Sequence, residues 1–386
     1  MTPSPSPLAI YVHWPFCAKK CPYCDFNSHV RDRVDHDAWK NAYLRELEHT
    51  RTLTGPREVV SVFFGGGTPS LMEPSTTAAI IESIDRLWGI PQGTETTLEA
   101  NPGSTEADKF RAFKSAGVNR VSVGVQALND ADLQTLGRLH GAEEARRAVG
   151  IAGDVFDRFS FDLIYARQGQ SVEMWERELR EALAMGTSHL SLYQLTIEEG
   201  TPFHTLFQRG EIVLPDEDSG ATMYELTQDI CAAAGLPAYE VSNHARMGEE
   251  SRHNLVYWRG GDYAGIGPGA HGRLTLDGQR HATRMHRAPE IWLERVAQQG
   301  HGAHPFEPVS GDEFARERLM MGLRLSEGIV HAQFRALTGM NVADVINAQA
   351  GQALQQGGFL HDDGQVIAAT AAGRQRLNAL LAYLVA

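Results

Sequence analysis

Short apolar, β-branched runs recur along the chain, each followed by a stretch with helical spacing. Strand candidates are residues 8–14, 59–65, 96–101, 120–126, 158–165 and 189–195, with a seventh at 237–242. Helical periodicity fills 37–50, 74–88, 105–115, 142–152, 171–185 and 217–234. Strand and helix alternate six times, which predicts an α/β protein with a parallel sheet and crossover helices. Six such units suggest a full or partial (β/α) barrel, and an open doubly wound sheet is the alternative. No GxGxxG opens a helix in the right place, so a dinucleotide fold gains no support.

The pattern changes near residue 285. Beyond it the chain is helix-rich, with periodicity at 310–325 and 342–355. FLHDDGQVIAAT then reads as a two-stranded wing turning at Asp362, Asp363 and Gly364, and a last helix covers 371–385. The expected organisation is a mobile proline-rich tail over 1–10, a barrel over 11–285 and a small winged-helix-like domain over 286–386. Winged helices often bind DNA. Residues 301–386, however, contain no lysine and more acidic than basic side chains, so interdomain or protein contact is the better expectation.

Composition narrows the partners. Among 386 residues, Lys and Arg number 35 against 48 Asp and Glu, a net charge of −13. That acidity argues against nucleic acid as the main partner. No uninterrupted apolar run of membrane-spanning length occurs, which leaves only peripheral membrane contact open. The opening MTPSPSP has no basic segment followed by an apolar core, so it does not read as a secretory signal. Cysteine is scarce, with 4 in the chain, which suits a reducing cytoplasm and not a disulfide framework.

Three of those cysteines crowd one short segment. Cys17, Cys21 and Cys24 follow the first strand with spacing Cys-x3-Cys-x2-Cys. Three thiolates on one loop suit an iron–sulfur cluster. Structural zinc would want a fourth ligand, which His13, Asp25 or His29 could supply, and plain buried thiols are the bland reading. Polar residues gather at the predicted strand ends. Gly65, Gly66, Gly67 and Thr68 follow the second strand. Three glycines admit a ligand close to the backbone, whereas a mere turn needs one. Glu99 and Asp162 are carboxylates that need a partner or water. Gln126 offers donors and an acceptor, and Arg138 can pair a carboxylate in bidentate fashion, unless they are only turn and surface residues.

The stretch YVHWPFCAKKCPYCDFNSH, residues 11–29, together with GGGTP, resembles the radical S-adenosylmethionine (SAM) proteins. It is most similar to the oxygen-independent coproporphyrinogen dehydrogenase family, and within that to its haem-chaperone (HemW) branch. The resemblance implies a [4Fe–4S] cluster on Cys17, Cys21 and Cys24, with SAM on the remaining iron. It also implies SAM contacts at Tyr11, Tyr23, Gly66, Gly67, Thr68, Glu99, Gln126, Arg138 and Asp162. The family usually reads DLIYGLPGQ where this chain has DLIYARQGQ, so the loop at Ala166, Arg167 and Gln168 is expected to turn less tightly.

Two features point to the chaperone branch. The dehydrogenases carry a further cysteine where this chain has Phe26, and a longer segment before the cluster. HNLVYW at 253–258 matches a motif associated with haem. His253 could ligate the iron, and Tyr257 and Trp258 could stack on a flat porphyrin. His13, His29, His244 and His271 are alternative ligands, and a surface turn capping the barrel is the bland alternative. GDYAGIGPGAHGR, residues 261–273, reads as a conformable loop or a connecting turn. The implied partners are haem, acceptor haemoproteins and an electron donor that the sequence does not identify. The implied alternative activity is oxidative decarboxylation of coproporphyrinogen. Its anionic propionates want cations at the barrel mouth, where the sequence offers Lys19 and Lys20.

Overall fold

The computed structural model describes residues 6–31 and 33–385. Six strands follow the apolar runs: β1 (Pro7–Trp14), β2 (Glu58–Gly66), β3 (Glu95–Ala100), β4 (Arg120–Gln126), β5 (Arg158–Tyr165) and β6 (His189–Gln194). They pair in that order and in parallel. Helices fill the crossovers at His36–Thr54, Pro74–Trp88, Ala107–Ser115, Ala142–Val155, Val172–Ala184 and Glu217–Ala233. Side-chain caps start several of them. Asp35, Ser171 and Asp216 each accept from a backbone N–H three residues on.

The two edges of this array differ from the sequence reading. Residues 237–242 do not form the seventh strand; β7 is the short Asn243–Ala245, antiparallel to β6. GDYAGIGPGAHGR is not a loop. It supplies β8 (Tyr263–Ile266), parallel to β1, and the start of β9 (His271–Leu276). A hairpin then adds β10 (Gln279–Arg284) and β11 (Glu307–Pro308), completing an 11-stranded sheet in the order β11-β10-β9-β8-β1-β2-β3-β4-β5-β6-β7. Gly265 and Gly272 explain the glycine content. A Cβ at Gly272 would lie 2.8 Å from the Tyr263 carbonyl oxygen, and one at Gly265 within 3.0 Å of Ala270. The glycines allow close strand approach and do not signal flexibility.

Both expected boundaries move. Residues 7–10 belong to β1, with Leu8, Ala9 and Ile10 fully buried, so the tail does not extend to residue 10. Residues 1–5 lie outside the described residues. The helix Pro289–Gln299 packs on the barrel, not on the C-terminal domain: Trp292 stacks on Trp39 at 5.3 Å. Buried Glu46 fastens the region, accepting from Gly267 N, Gly302 N and Trp292 Nε1 at 2.7–2.9 Å. A separate apolar core begins with Ala315 and Leu319 on the helix Gly311–Gly322. Strands Leu360–Asp362 and Val366–Ala369 form the expected wing, joined by Ile329–Val330. The last expected helix is broken into Ala371–Gln375 and Leu377–Leu384.

The loop after β5 keeps its turn despite the missing glycine. Ala166 takes φ 55°, a left-handed conformation that costs an alanine about 1 kcal/mol. Arg167 turns inward, where its Nη2 donates to Asp132 and Glu178 at 2.6 Å each. Glu178 also accepts from Leu128 N and Gln170 Nε2. Removing one member of a buried charge network strands the others. Arg167→Ala is therefore expected to destabilise the fold by about 3 kcal/mol. Urea unfolding of Arg167→Ala, Glu178→Ala and the pair checks this, and the double variant should lose much less than the sum.

Candidate functional site

The cysteine loop leaves β1 and crosses the carboxyl ends of the parallel strands. Its base is a two-residue parallel bridge, Phe16–Cys17 against His29–Val30. The end of β2 lies against its entry. Gly67 N donates to Trp14 O and Thr68 N to Phe16 O. All three glycines are needed for this approach. A Cβ at Gly65 would sit 2.8 Å from the Tyr11 ring and one at Gly66 2.7 Å from Trp14 O. One at Gly67 would sit 2.7 Å from Phe16 O and 3.0 Å from Cys17 Sγ. Gly66 also has φ 116°, which L side chains rarely adopt.

Two side chains from the barrel reach the sulfurs. Thr68 Oγ1 donates to Cys17 Sγ at 3.5 Å, and Arg138 Nη1 to Cys21 Sγ at 3.4 Å. Arg138 is anchored by Nη2 on the Gly124 carbonyl, while its buried Nε has no partner among the described residues. Tyr23 packs on Phe203 beside Cys21 and Arg138. No group of three His, Cys, Asp or Glu among the described residues is gathered as a single ion requires. A four-coordinate zinc needs such convergence, whereas a cubane takes one thiolate per iron. The donor set fits the cluster better.

Behind the glycines stand two carboxylates. Glu99 Oε2 accepts from Gly66 N at 3.3 Å, and Asp162 Oδ1 accepts from Ser122 Oγ at 3.2 Å. Burial, and then Asp162, push Glu99 up to about 8. Burial pushes Asp162 up to about 6, against the opposing pull of Ser191 and Ser122 hydroxyls. Two neighbouring carboxyls suit a positively charged guest, although Arg120 and Arg138 already act on Asp162. Gln126 ends β4 at a register irregularity and holds φ 74°. Such strain re-aims a side chain at a strand end, and no sequence signal announced it. Tyr11 lies deeper, between Phe63 and His13. Its hydroxyl is 3.0 Å from His13 Nδ1, whose Nε2 lies 2.9 Å from Asn27 O. Since a carbonyl only accepts, Nε2 carries the proton and Nδ1 accepts from Tyr11. His13 and Asn27 were missed as parts of this wall.

HNLVYW behaves differently from its sequence reading. It forms the helix Arg252–Trp258, capped by Ser251. His253 is 1% exposed, with Nδ1 2.8 Å from Ser61 Oγ and Nε2 2.6 Å from Tyr257 OH. Both ring nitrogens are engaged and the ring stacks on Phe63, so His253 is not available to iron in this structure. Burial pushes it down to about 3, so it is neutral. Tyr257 packs edge-on against Tyr263 at 4.3 Å. Trp258 is covered by Arg324 at 4.6 Å, and its carbonyl accepts from Arg318. The motif docks the barrel onto the C-terminal domain. Of the alternative histidines, His13 and His244 are buried and hydrogen-bonded, and His29 faces Asn27 Oδ1. His271 is exposed on β9 with no side-chain hydrogen bond among the described residues.

Residues 11–182 match the Radical SAM superfamily, and residues 309–376 match the HemN C-terminal domain. The chain is 39% identical to "Heme chaperone HemW" of Escherichia coli over 98% of both sequences. It is 40% identical to "Radical S-adenosyl methionine domain-containing protein 1, mitochondrial" of Bos taurus, over 99% of this chain and 89% of that one. A solved structure of Escherichia coli coproporphyrinogen III oxidase (HemN) superposes with a TM-score of 0.82 at 21% identity. That match covers 99% of this chain and 90% of that one, and it shows the fold alone. With a cysteine loop laid over the strand ends of a partial barrel, and full-length likeness to HemW, the chain belongs to the HemW-type radical SAM proteins.

Proposed function

We propose that the protein binds haem and passes it to acceptor haemoproteins, on a barrel that carries a [4Fe–4S] cluster and SAM. The observation that carries this reading is the likeness to HemW over 98% of both chains. Cys17, Cys21 and Cys24 hold the cluster. When bound, cluster and SAM supply one-electron cleavage of a carbon–sulfur bond. Glu99 and Asp162 receive the positive end of SAM, and Arg138 pairs its carboxylate. Gln126 takes the ribose, while Gly66, Gly67 and Thr68 let the backbone approach the amino-acid part. Tyr11, against Gly65, and Tyr23, packed on Phe203, complete the SAM contacts. Among the described residues no helix is long and apolar enough to cross a membrane. We assign the protein to the cytoplasm, where its 4 cysteines stay reduced.

Coproporphyrinogen decarboxylation is the reaction the reading excludes. Phe26 stands, 60% exposed, where the dehydrogenases have a further cysteine. Anaerobically reconstituted protein is expected to take up haem and reconstitute an apo-haemoprotein, leaving coproporphyrinogen unchanged. Sustained protoporphyrinogen formation overturns the proposal, and so does failure to bind haem. His253→Ala is expected to leave haem affinity within about twofold. It should lower thermal stability, because it empties a packed site and strands Ser61 and Tyr257. A lost haem spectrum in a folded His253→Ala protein would show that the helix opens to bind.

The carboxylate pair makes SAM binding pH-dependent. Below about 8 Glu99 holds a proton and offers no charge to a cation. Binding the cation releases that proton, so affinity rises with pH until Glu99 is ionised in the free protein. Calorimetry from pH 6 to 9 should show this rise in the wild type and a shallower one in Glu99→Gln. Parallel profiles would remove Glu99 from the contact.

A further inference from the structure

Residues two apart along a strand share a face, and the central strands use the two faces differently. On β4, Val121, Val123 and Val125 are fully buried in the apolar core, while Arg120, Ser122 and Gly124 take the alternate face. On β5, Phe161 and Leu163 join that core, and Arg158, Ser160 and Asp162 alternate with them. Ser122 stands opposite Ser160, and Asp162 opposite Ser191 of β6. The face that carries Asp162 at the mouth therefore carries a column of buried hydroxyls behind it. That column reaches back to Arg120, the first residue of β4.

Arg120 is 3% exposed, yet it forms no ion pair among the described residues. Glu95 on the neighbouring β3 is already taken, by Arg158 Nη1 at 2.8 Å and by the amide of His253 at 3.2 Å. The Arg120 side chain goes to a hydroxyl instead: its Nη2 donates to Ser160 Oγ at 3.0 Å. Ser160 Oγ donates to Ser122 Oγ at 2.9 Å, and Ser122 Oγ donates to Asp162 Oδ1 at 3.2 Å. This chain has one sense. A guanidinium only donates, so Ser160 accepts and turns its own proton onward, and Ser122 does the same. The sense ends on an oxygen that accepts, which an ionised carboxylate supplies. Hydrogen bonds in series polarise one another, most of all in a low-dielectric interior. A buried cation with no counter-ion is costly. The relay gives Arg120 one in Asp162, two hydroxyls away.

We propose that Arg120 is a positioning residue of the SAM site, acting through Ser160 and Ser122 to hold Asp162 ionised and its Oδ1 fixed, so that the other oxygen is left for the cation. The inference rests on the reading of Asp162 as a SAM contact, and adds to it the residue that sets its charge. Asp162 is faced by Glu99 on β3, by Arg120 and Ser122 on β4, by Ser191 and Tyr193 on β6, and by Arg138 from the segment after β4. Burial opposes its ionisation; the Ser191 and Ser122 hydroxyls, and then Arg120 and Arg138, favour it. Arg138 is engaged at Cys21 Sγ and at the Gly124 carbonyl. Arg120 is therefore the cation whose hydrogen bonds lead to Asp162.

The test is SAM calorimetry on cluster-reconstituted full-length protein from pH 5 to 9. Losing the relay raises the pH at which Asp162 gives up its proton, so variants should lag the wild type in acid and meet it in base. Glu99 titrates in every variant and is common to the comparison. Ser160→Ala, which keeps every charge, and Arg120→Met are each expected to weaken SAM binding by about fivefold at pH 6 and by less than about twofold at pH 9. Arg120→Lys should recover most of the affinity at pH 6. In an Asp162→Asn background, adding Ser160→Ala or Arg120→Met should change affinity by less than about twofold at either pH, because the relay has no carboxylate left to act on. Unchanged cluster content shows that a variant folds, and Ser160→Ala carries the test if Arg120→Met fails to assemble. A loss equal at pH 6 and 9, or no loss, overturns the inference and leaves the SAM contact standing. If Asp162→Asn alone binds SAM as the wild type does, the contact reading falls and the inference with it.

Discussion

The whole mouth of this barrel depends on how closely two backbones approach. The end of β2 runs against the entry to the cysteine loop with no room for a side chain at Gly65, Gly66 or Gly67. Backbone bonds from Gly67 and Thr68 to Trp14 and Phe16 fix the loop's origin. Cys17 is thereby set over the strand ends, and Gly66 N is left pointing at Glu99. A methyl group at Gly67 would push into Cys17 Sγ and the Phe16 carbonyl together. Neither can yield without moving the loop, because Phe16 and Cys17 both sit in the short bridge to His29 and Val30. Packing at the strand ends is thus what sets the spacing between thiols and carboxylates.

A second layer of contacts holds this geometry from outside the mouth. Tyr43 donates to the His13 carbonyl, and Glu46, one helical turn on, grips Gly267 and Gly302. Gly267 begins the turn whose Pro268 carbonyl receives Asn27. One face of the helix His36–Thr54 therefore fixes both β1 and the edge formed by β8 and β9. The HNLVYW helix completes the frame: Arg318 from the C-terminal domain donates to Trp258 O, and Arg259 forms a bidentate pair with Glu327. Buried polar groups such as Glu46 and Arg318 cost free energy unless they are paired, so they define a single arrangement better than apolar packing alone. Glu46 illustrates it: burial pushes the carboxyl up to about 7, although three donors stabilise its charged form.

Much of the architecture was legible because six strands are buried on both faces. Runs such as RVSVGVQ and RFSFDLIY can satisfy that burial only as central parallel strands. The strands β8 and β9 were illegible for the opposite reason. Their glycines serve close strand packing, a use that a local pattern cannot distinguish from a turn. The domain boundary near 285 followed the change of periodicity, but Trp292 and Glu46 form a tertiary contact separated by 246 positions. At the site, Glu99 was visible as a carboxylate at a strand end and Asp162 as one inside an apolar strand, while the positive φ of Gln126 was not. His253 was read as a haem ligand, and its burial between Ser61, Phe63 and Tyr257 was not legible because the motif names residues and not their surroundings. Arg167 was read as a loosened loop, and it became the centre of a new ion network because Asp132 and Glu178, far apart in sequence, meet there.

The interior of the barrel has two electrostatic ends, and their separation follows from the strand order. Strands β3 and β5 bring Glu99 and Asp162 together beyond β2, where burial, and then Asp162, raise the affinity of Glu99 for a proton. Strands β9 and β10 lie on the other side of β1, where His271 is pushed down by burial and then by Arg284, Arg273 and Arg287. The first end gathers buried carboxyls, and the second gathers exposed basic side chains. Net charge alone would have predicted uniform repulsion of anions from so acidic a chain. What decides is the local field, because a Debye length of about 8 Å confines each charge's influence to its own end of the barrel.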